Sequence, residues 1–241
     1  METKFVSLGC VCQPHAQIER TGMVAPGFFD LLGSSWADLI RVLRNPHDDY
    51  GLDAIAWDDR SSVRGRESGL IMHHEFPRDE AGRVIITDEG RALCAARLRR
   101  RMKRFLALKG DVTFVRLGGV ESPIEVDPYR FDPFRLTQDH VADLLAALDG
   151  LFPDLKFRVV MVYYNHKTHV SAKSTGQFRA YGLPDPRPLL AREDWWKGDD
   201  CAWSSVLEHF SSELAPVRVK KIASKHEIRA HGLTQSGRER L

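Results

Sequence analysis

Two wholly apolar stretches, "VTFVRLG" and "KFRVVMVYYN", flank a segment opened by Thr137 that carries Val141, Leu144, Leu145, Leu148 and Phe152 at helical spacing. Apolar runs of this length without alternation are strands buried on both faces, and a strand, helix, strand order of this kind reads as a parallel crossover unit. This unit constrains the fold more than any other part of the chain. It predicts an α/β domain in which a mostly parallel sheet of about five strands lies between helices, giving three layers, with a papain-like α+β arrangement as the alternative.

The rest of the chain fits that frame. "KFVSLG" reads as a short buried strand, and Pro14 suits the first helical position of a two-turn helix that stops at Gly22. Ser35 and Asp38 resemble a capping box, and Trp36, Leu39, Ile40 and Leu43 form an apolar stripe that runs to Pro46. "DDRSSVRGRESG" is turn-like, whereas "LIMHHEF" and "RVIIT" read as two strands joined around "PRDEAG". Residues 90 to 108 form a helix with Cys94, Leu98, Met102, Phe105 and Leu106 inward. Its Arg97, Arg100, Arg101, Lys103 and Arg104 read as a solvated face. "GGVESPIEVDPYRFDPFRLT" is a long loop, and "YGLPDPRPLLAREDWWKGDD" is a turn-rich connector. Asp200 caps a last helix bearing Trp203, Val206, Leu207, Phe210 and Leu214. "VRVKKI" is a final strand. Residues 1 to 223 are thus one domain, and residues 224 to 241 are a charged tail.

Composition excludes several functions. The chain has 241 residues, 43% of them hydrophobic, which is enough to bury a full core without staples. With 35 basic against 33 acidic side chains and a formal charge of +2, no global field invites a nucleic acid or an anionic membrane. No apolar run nears the roughly 20 residues of a membrane span, so the expectation is a soluble, cytoplasmic protein. The cysteines at 10, 12, 94 and 201 form no C-x-x-C pair, and no H-E-x-x-H or glycine-rich phosphate cradle is present. Neither metal nor cofactor is expected. A strained bridge between Cys10 and Cys12 is the remaining redox alternative.

Chemistry concentrates in "FVSLGCVCQPHAQIER". Cys12 lies where a buried strand hands over to a helix whose first cap is expected at Gln13. Unpaired amides and the helix dipole there would lower the thiol pKa and could hold an oxyanion. The bland alternative is a packed thiol in a tight turn. A thiol nucleophile needs a base, and His73 and His74 in "MHHEF" are the leading pair, one of which must face away from the other. His166 and His169 follow. Arg116, at a strand end together with Cys12 and Asn165, could hold a carboxylate or phosphate.

The blocks "SLGCVCQP", "FFDLL", "HHEF", "RRRMKRFL", "TFVRL" and "DWWKGDDCAW" occur in the order of an uncharacterised bacterial family labelled papain-like cysteine peptidases. The chain resembles that family over about residues 5 to 210. The resemblance implies a catalytic Cys12 and His74, with Asp30 and Arg116 on the family's aspartate and arginine. Phe28, Leu31 and Glu75 depart from its usual proline, tryptophan and aspartate. The expected function is a cysteine-dependent hydrolase or acyl transferase on a peptide or small-molecule substrate, with Asp30 or Glu75 orienting His74. Gln13, His73 and Arg116 are then expected to bind substrate. The alternatives are a transferase on anionic or sugar-nucleotide substrates of surface polysaccharide assembly, and a non-catalytic binding module.

Overall fold

The computed structural model describes residues 4–57, 62–118, 135–164, 169–184 and 195–212. In chain order the elements are β1 (Lys4–Ser7), α1 (Gln13–Arg20), α2 (Trp36–Arg44), β2 (Ala54–Trp57), β3 (Ser62–Gly65), α3 (Asp88–Leu106), β4 (Asp111–Gly118), β5 (Arg135–Leu136), α4 (Gln138–Leu151), β6 (Lys156–Tyr164), β7 (His169–Val170), β8 (Phe178–Leu183), a 3-10 turn at Trp195–Lys197 and α5 (Asp200–Ser212).

The main sheet has the order β1-β4-β6-β8 and every pairing in it is parallel. Phe5 lies opposite Thr113, and Phe114 opposite Val159. The pleat sends alternate residues to opposite faces, and both faces are covered. Val6, Phe114 and Val159 pack with apolar residues of α2, α3 and α4. Phe5, Val115 and Val160 pack with Ile18 of α1 and with Trp203, Val206, Leu207 and Phe210 of α5. The chain is therefore α/β, a parallel sheet between helical layers, and not the α+β alternative.

The strong helical patterns appear where expected. Ser35 accepts from the Asp38 N–H at 3.1 Å and Thr137 from the His140 N–H at 3.4 Å, so both caps are made. Asp199, one residue before the expected Asp200, caps α5 by accepting from the Ala202 N–H at 2.7 Å. On α3, Leu106 is exposed and not part of the core.

The middle of the chain differs from its reading. The two-stranded antiparallel ribbon is formed by β2 and β3, of which β3 lies inside the stretch that reads as a turn and β2 just before it. "LIMHHEF" is not a strand. Its Ile71 makes single bridges to Gly33 and Arg64, and the chain then turns, with the Glu75 N–H donating to the Met72 carbonyl at 3.2 Å. "RVIIT" contributes one bridge, Arg78 to Val84. β8, which was not foreseen, is the sheet's fourth strand. Asn165, His166, Leu214, "VRVKKI", the 224–241 tail and most of the long loop lie outside the described residues.

Candidate active site

The cysteine is delivered by a strained turn. The Leu8 N–H still donates to the Val115 carbonyl at 2.8 Å, after which Gly9 and Cys10 both take left-handed backbone, with φ of 74° and 76°. That conformation suits glycine but costs a residue with a Cβ about 1–2 kcal/mol. The chain then enters α1. The Ala16 N–H donates to the Cys12 carbonyl at 3.1 Å, so Cys12 itself, and not Gln13, is the cap residue. Its own φ and ψ, −69° and −19°, are already helical.

Two residues expected to bind substrate are tied into the protein. Arg116 is fully buried. Its Nη1 donates to the Leu8 carbonyl at 2.7 Å and to Ser34 Oγ at 3.1 Å, and its Nη2 donates to the Ser34 carbonyl at 2.8 Å. The guanidinium thus holds the end of β1 against the segment before α2. Gln13 is buried as well, donating from Nε2 to the Trp196 carbonyl at 3.0 Å and accepting from the Tyr164 hydroxyl at 2.7 Å. A Cβ on Gly198 would stand 2.7 Å from that Nε2, so glycine there lets the 3-10 turn close on α1.

His74 Nε2 lies 3.4 Å from Cys12 Sγ, across 62 residues of sequence. His74 is therefore the one of the two adjacent histidines that faces the thiol. His73 sets its ring edge-on to His74 at 5.0 Å between centroids, and Arg78 Nη2 lies 3.2 Å from its Nδ1.

Backbone and ionic contacts hold the two halves together. Gly33 and Ile71 exchange N–H···O bonds of 2.9 and 2.8 Å, and the Ser34 N–H donates to the Cys10 carbonyl at 3.3 Å. One short chain of bonds therefore runs from the cysteine turn to the histidine turn. Glu75, next to His74, is buried and accepts from Arg97 at 2.7 Å and Arg101 at 2.8 Å, both on α3. Arg101 also donates to the Asp30 carbonyl at 3.1 Å. These two arginines belong to the helix face that reads as solvated, and that reading fails for them because a buried carboxylate must be paired.

Asp30 does not orient His74. It faces His15 instead, Oδ1 to Nδ1 at 3.2 Å, as an ion pair without the alignment of a full hydrogen bond. Asp30 Oδ2 accepts from the Gly27 N–H at 2.8 Å. Glu75 is occupied by its arginines, and among the described residues no carboxylate hydrogen-bonds His74.

Protonation follows from these surroundings. Burial pushes the Cys12 thiol up to about 11, against a smaller opposing effect of its own backbone N–H. The expected lowering is therefore absent, because loss of water outweighs the helix end. Burial also holds His74 below its ordinary value, helped by the Arg78 charge and opposed by Glu75. His73 is lowered by burial, by Arg78 and by His74. At neutral pH the pair is thiol beside neutral imidazole.

His15 was missed, although it stands three residues after Cys12 in a stretch that reads as helix. No group of three or more metal-ligating side chains gathers among the described residues, and no helix among them is long and apolar enough to cross a membrane. A scan against protein-family models, a search of curated proteins and a search of solved structures each return no match.

Proposed function

We propose that the chain is a cysteine-dependent hydrolase or acyl transferase. The observation that carries this reading is the 3.4 Å approach of His74 Nε2 to Cys12 Sγ, the nucleophile and base geometry that acyl transfer requires. With both groups neutral at rest, His74 acts as a general base. It takes the thiol proton as Sγ attacks an acyl carbonyl, so no standing thiolate is needed. The first-turn amides of α1, those of Gln13 and His15 since Pro14 has none, are unused by helical bonding and can serve as donors for the tetrahedral oxyanion. Collapse expels the leaving group and leaves a thioester on Cys12, which water resolves in a hydrolase and an acceptor nucleophile in a transferase. The peptidase label rests on the block resemblance, and a peptide or a small acyl compound fits this chemistry equally. The reading as a transferase for anionic substrates is weakened by Arg116, whose charge is spent on carbonyls inside the core.

The test is acetylation by 4-nitrophenyl acetate, located by peptide mass spectrometry. The expected result is acetyl-Cys12, formed at a rate that rises as His74 loses its proton below pH 6.5 and then levels. His74→Ala is expected to slow it by roughly 100-fold, in line with general-base contributions of ~10²–10⁴. Label that falls elsewhere, or an unchanged rate in His74→Ala, overturns the proposal.

A further inference from the structure

A second imidazole, His15, follows the thiol by three residues at the start of α1. Because Cys12 already has helical φ and ψ, the spacing of Cys12 and His15 is that of neighbours on one helix face, about 5–6 Å between Cβ atoms. The side chains of His15 and Asp30 are each only 14% exposed, and their 3.2 Å approach uses Nδ1 of the ring, so Nε2 is the nitrogen turned away from Asp30. Asp30 is fixed in turn. The Gly27 N–H holds its other oxygen at 2.8 Å, and Arg101 holds its carbonyl at 3.1 Å while reaching Glu75, the neighbour of His74, at 2.8 Å. A Cβ on Gly27 would stand 2.7 Å from Asp30 Oδ1, so the turn is shaped around this carboxylate. Contacts thus run from His15 through Asp30 and Arg101 to Glu75, the chain neighbour of His74, which in turn meets Cys12.

Resting on the hydrolase or acyl transferase reading, we propose that His15, held by Asp30, is the general acid of the site, donating the Nε2 proton to the group that leaves when Cys12 takes the acyl group. The carboxylate has the role that an aspartate plays behind a catalytic imidazole, setting the tautomer and stabilising the charged ring. Around His15 stand Asp30, Glu19 on the same helix and Arg101 from α3. Around His74 stand Arg78, Glu75, His73 and the thiol. The Asp30 carboxylate against Nδ1 raises the His15 pKa above its ordinary value, over an opposing effect of burial, with further support from the charge of Glu19 against that of Arg101. His74 is shifted the other way. Two like groups pushed apart by their environments are how one site supplies both an acid and a base.

The step balances. The Sγ–C bond forms and the bond from the acyl carbon to the leaving atom breaks. The thiol proton goes to His74 Nε2, and the leaving atom departs with the His15 proton. A proton relayed through solvent from His74 to His15 restores both rings before water or an acceptor attacks the thioester.

The experiment compares acetyl transfer to Cys12 from phenyl acetate, whose leaving group needs a proton, with transfer from 4-nitrophenyl acetate, whose leaving group does not, between pH 5 and 9. For the wild type, the phenyl acetate rate is expected to rise as His74 is freed and to fall as His15 loses its proton, whereas the nitrophenyl rate levels. His15→Gln is expected to slow phenyl acetate by at least about tenfold and the nitrophenyl ester by less than about twofold, given a general-acid contribution of ~10²–10⁴. Asp30→Asn, which keeps an oxygen for the Gly27 N–H, is expected to move the alkaline fall to lower pH, and it serves if His15→Gln does not fold. An unchanged ratio of the two rates in the folded variants overturns the acid role while leaving the Cys12 and His74 reading intact. A wild type that acetylates no Cys12 overturns both.

Discussion

Cys10 and Leu31 have left-handed backbone without being glycine, with φ of 76° and 60°, and both lie in segments that meet at the site. Strain of this kind persists only where surrounding contacts impose it, and it clusters at functional turns. At Cys10 the contacts are full burial and the backbone bond to Ser34. Cys10→Gly is expected to leave stability within about 1 kcal/mol of wild type, since relief of ~1–2 kcal/mol is offset by lost burial. Cys10→Val is expected to cost at least ~2 kcal/mol, because a β-branched residue fits that φ worst. Urea melts of both variants check the pair. Arg116→Met removes the hydrogen bonds to the Leu8 carbonyl and to the Ser34 hydroxyl and carbonyl, all buried. Carbonyls left bare in the core put the expected cost at ~3 kcal/mol or more, visible as a Tm lower by roughly 6–12 °C for a domain of this size.

At the scale of elements, helices with caps and stripes were legible in the sequence because each is specified by its own residues. Ser35, Thr137 and the apolar positions of α2 and α4 needed no distant partner to be recognised. The β2–β3 ribbon and β8 were not, because short or half-exposed strands such as "SVRG" and "FRAYGL" are made by their neighbours and carry little period of their own. Of the site, Cys12 and the "HH" pair were legible as chemistry, but the strand pattern left His73 and His74 open and only the block resemblance pointed to His74. That choice depends on the Ile71 bridge and on the α3 arginines that fix the turn after it. Glu75→Gln therefore tests an element and not only a charge. Its cost is expected to be roughly 2–3 kcal/mol, below the ~3–5 of a wholly buried pair because Arg97 keeps solvent contact. Acetylation of Cys12 is expected to fall further than the unfolded fraction explains, as the His74 turn loosens. On the far side of the site, Gly198→Ala forces a Cβ into Gln13 at a φ of +84°. It is expected to lower Tm by several degrees, which thermal melts monitored by circular dichroism check.

For the whole molecule the two kinds of histidine set opposite limits on stability. His15 has a raised folded pKa, so its contribution is fully present below about pH 6.5, the value of an unfolded histidine, and is lost as pH rises through the folded value. His73 and His74 have lowered folded values, so the stability that they hold as neutral rings is present above about pH 6.5 and lost as pH falls toward those values. Urea midpoints measured from pH 5 to 9 are expected to sag on both sides. His15→Gln is expected to remove the alkaline sag and a His73→Gln/His74→Gln double variant the acid one. The parallel sheet read from "VTFVRLG" and "KFRVVMVYYN" carries one further consequence, in time. β1 lies at one end of the sheet and its partner is β4, with Lys4 opposite Val112. A chain emerging from the ribosome at about 5–20 residues per second therefore holds its cysteine turn without a sheet to rest on until β4 has been made. The turn that carries Cys12 cannot settle against a finished sheet until β4, which follows α3 in the chain, has been made.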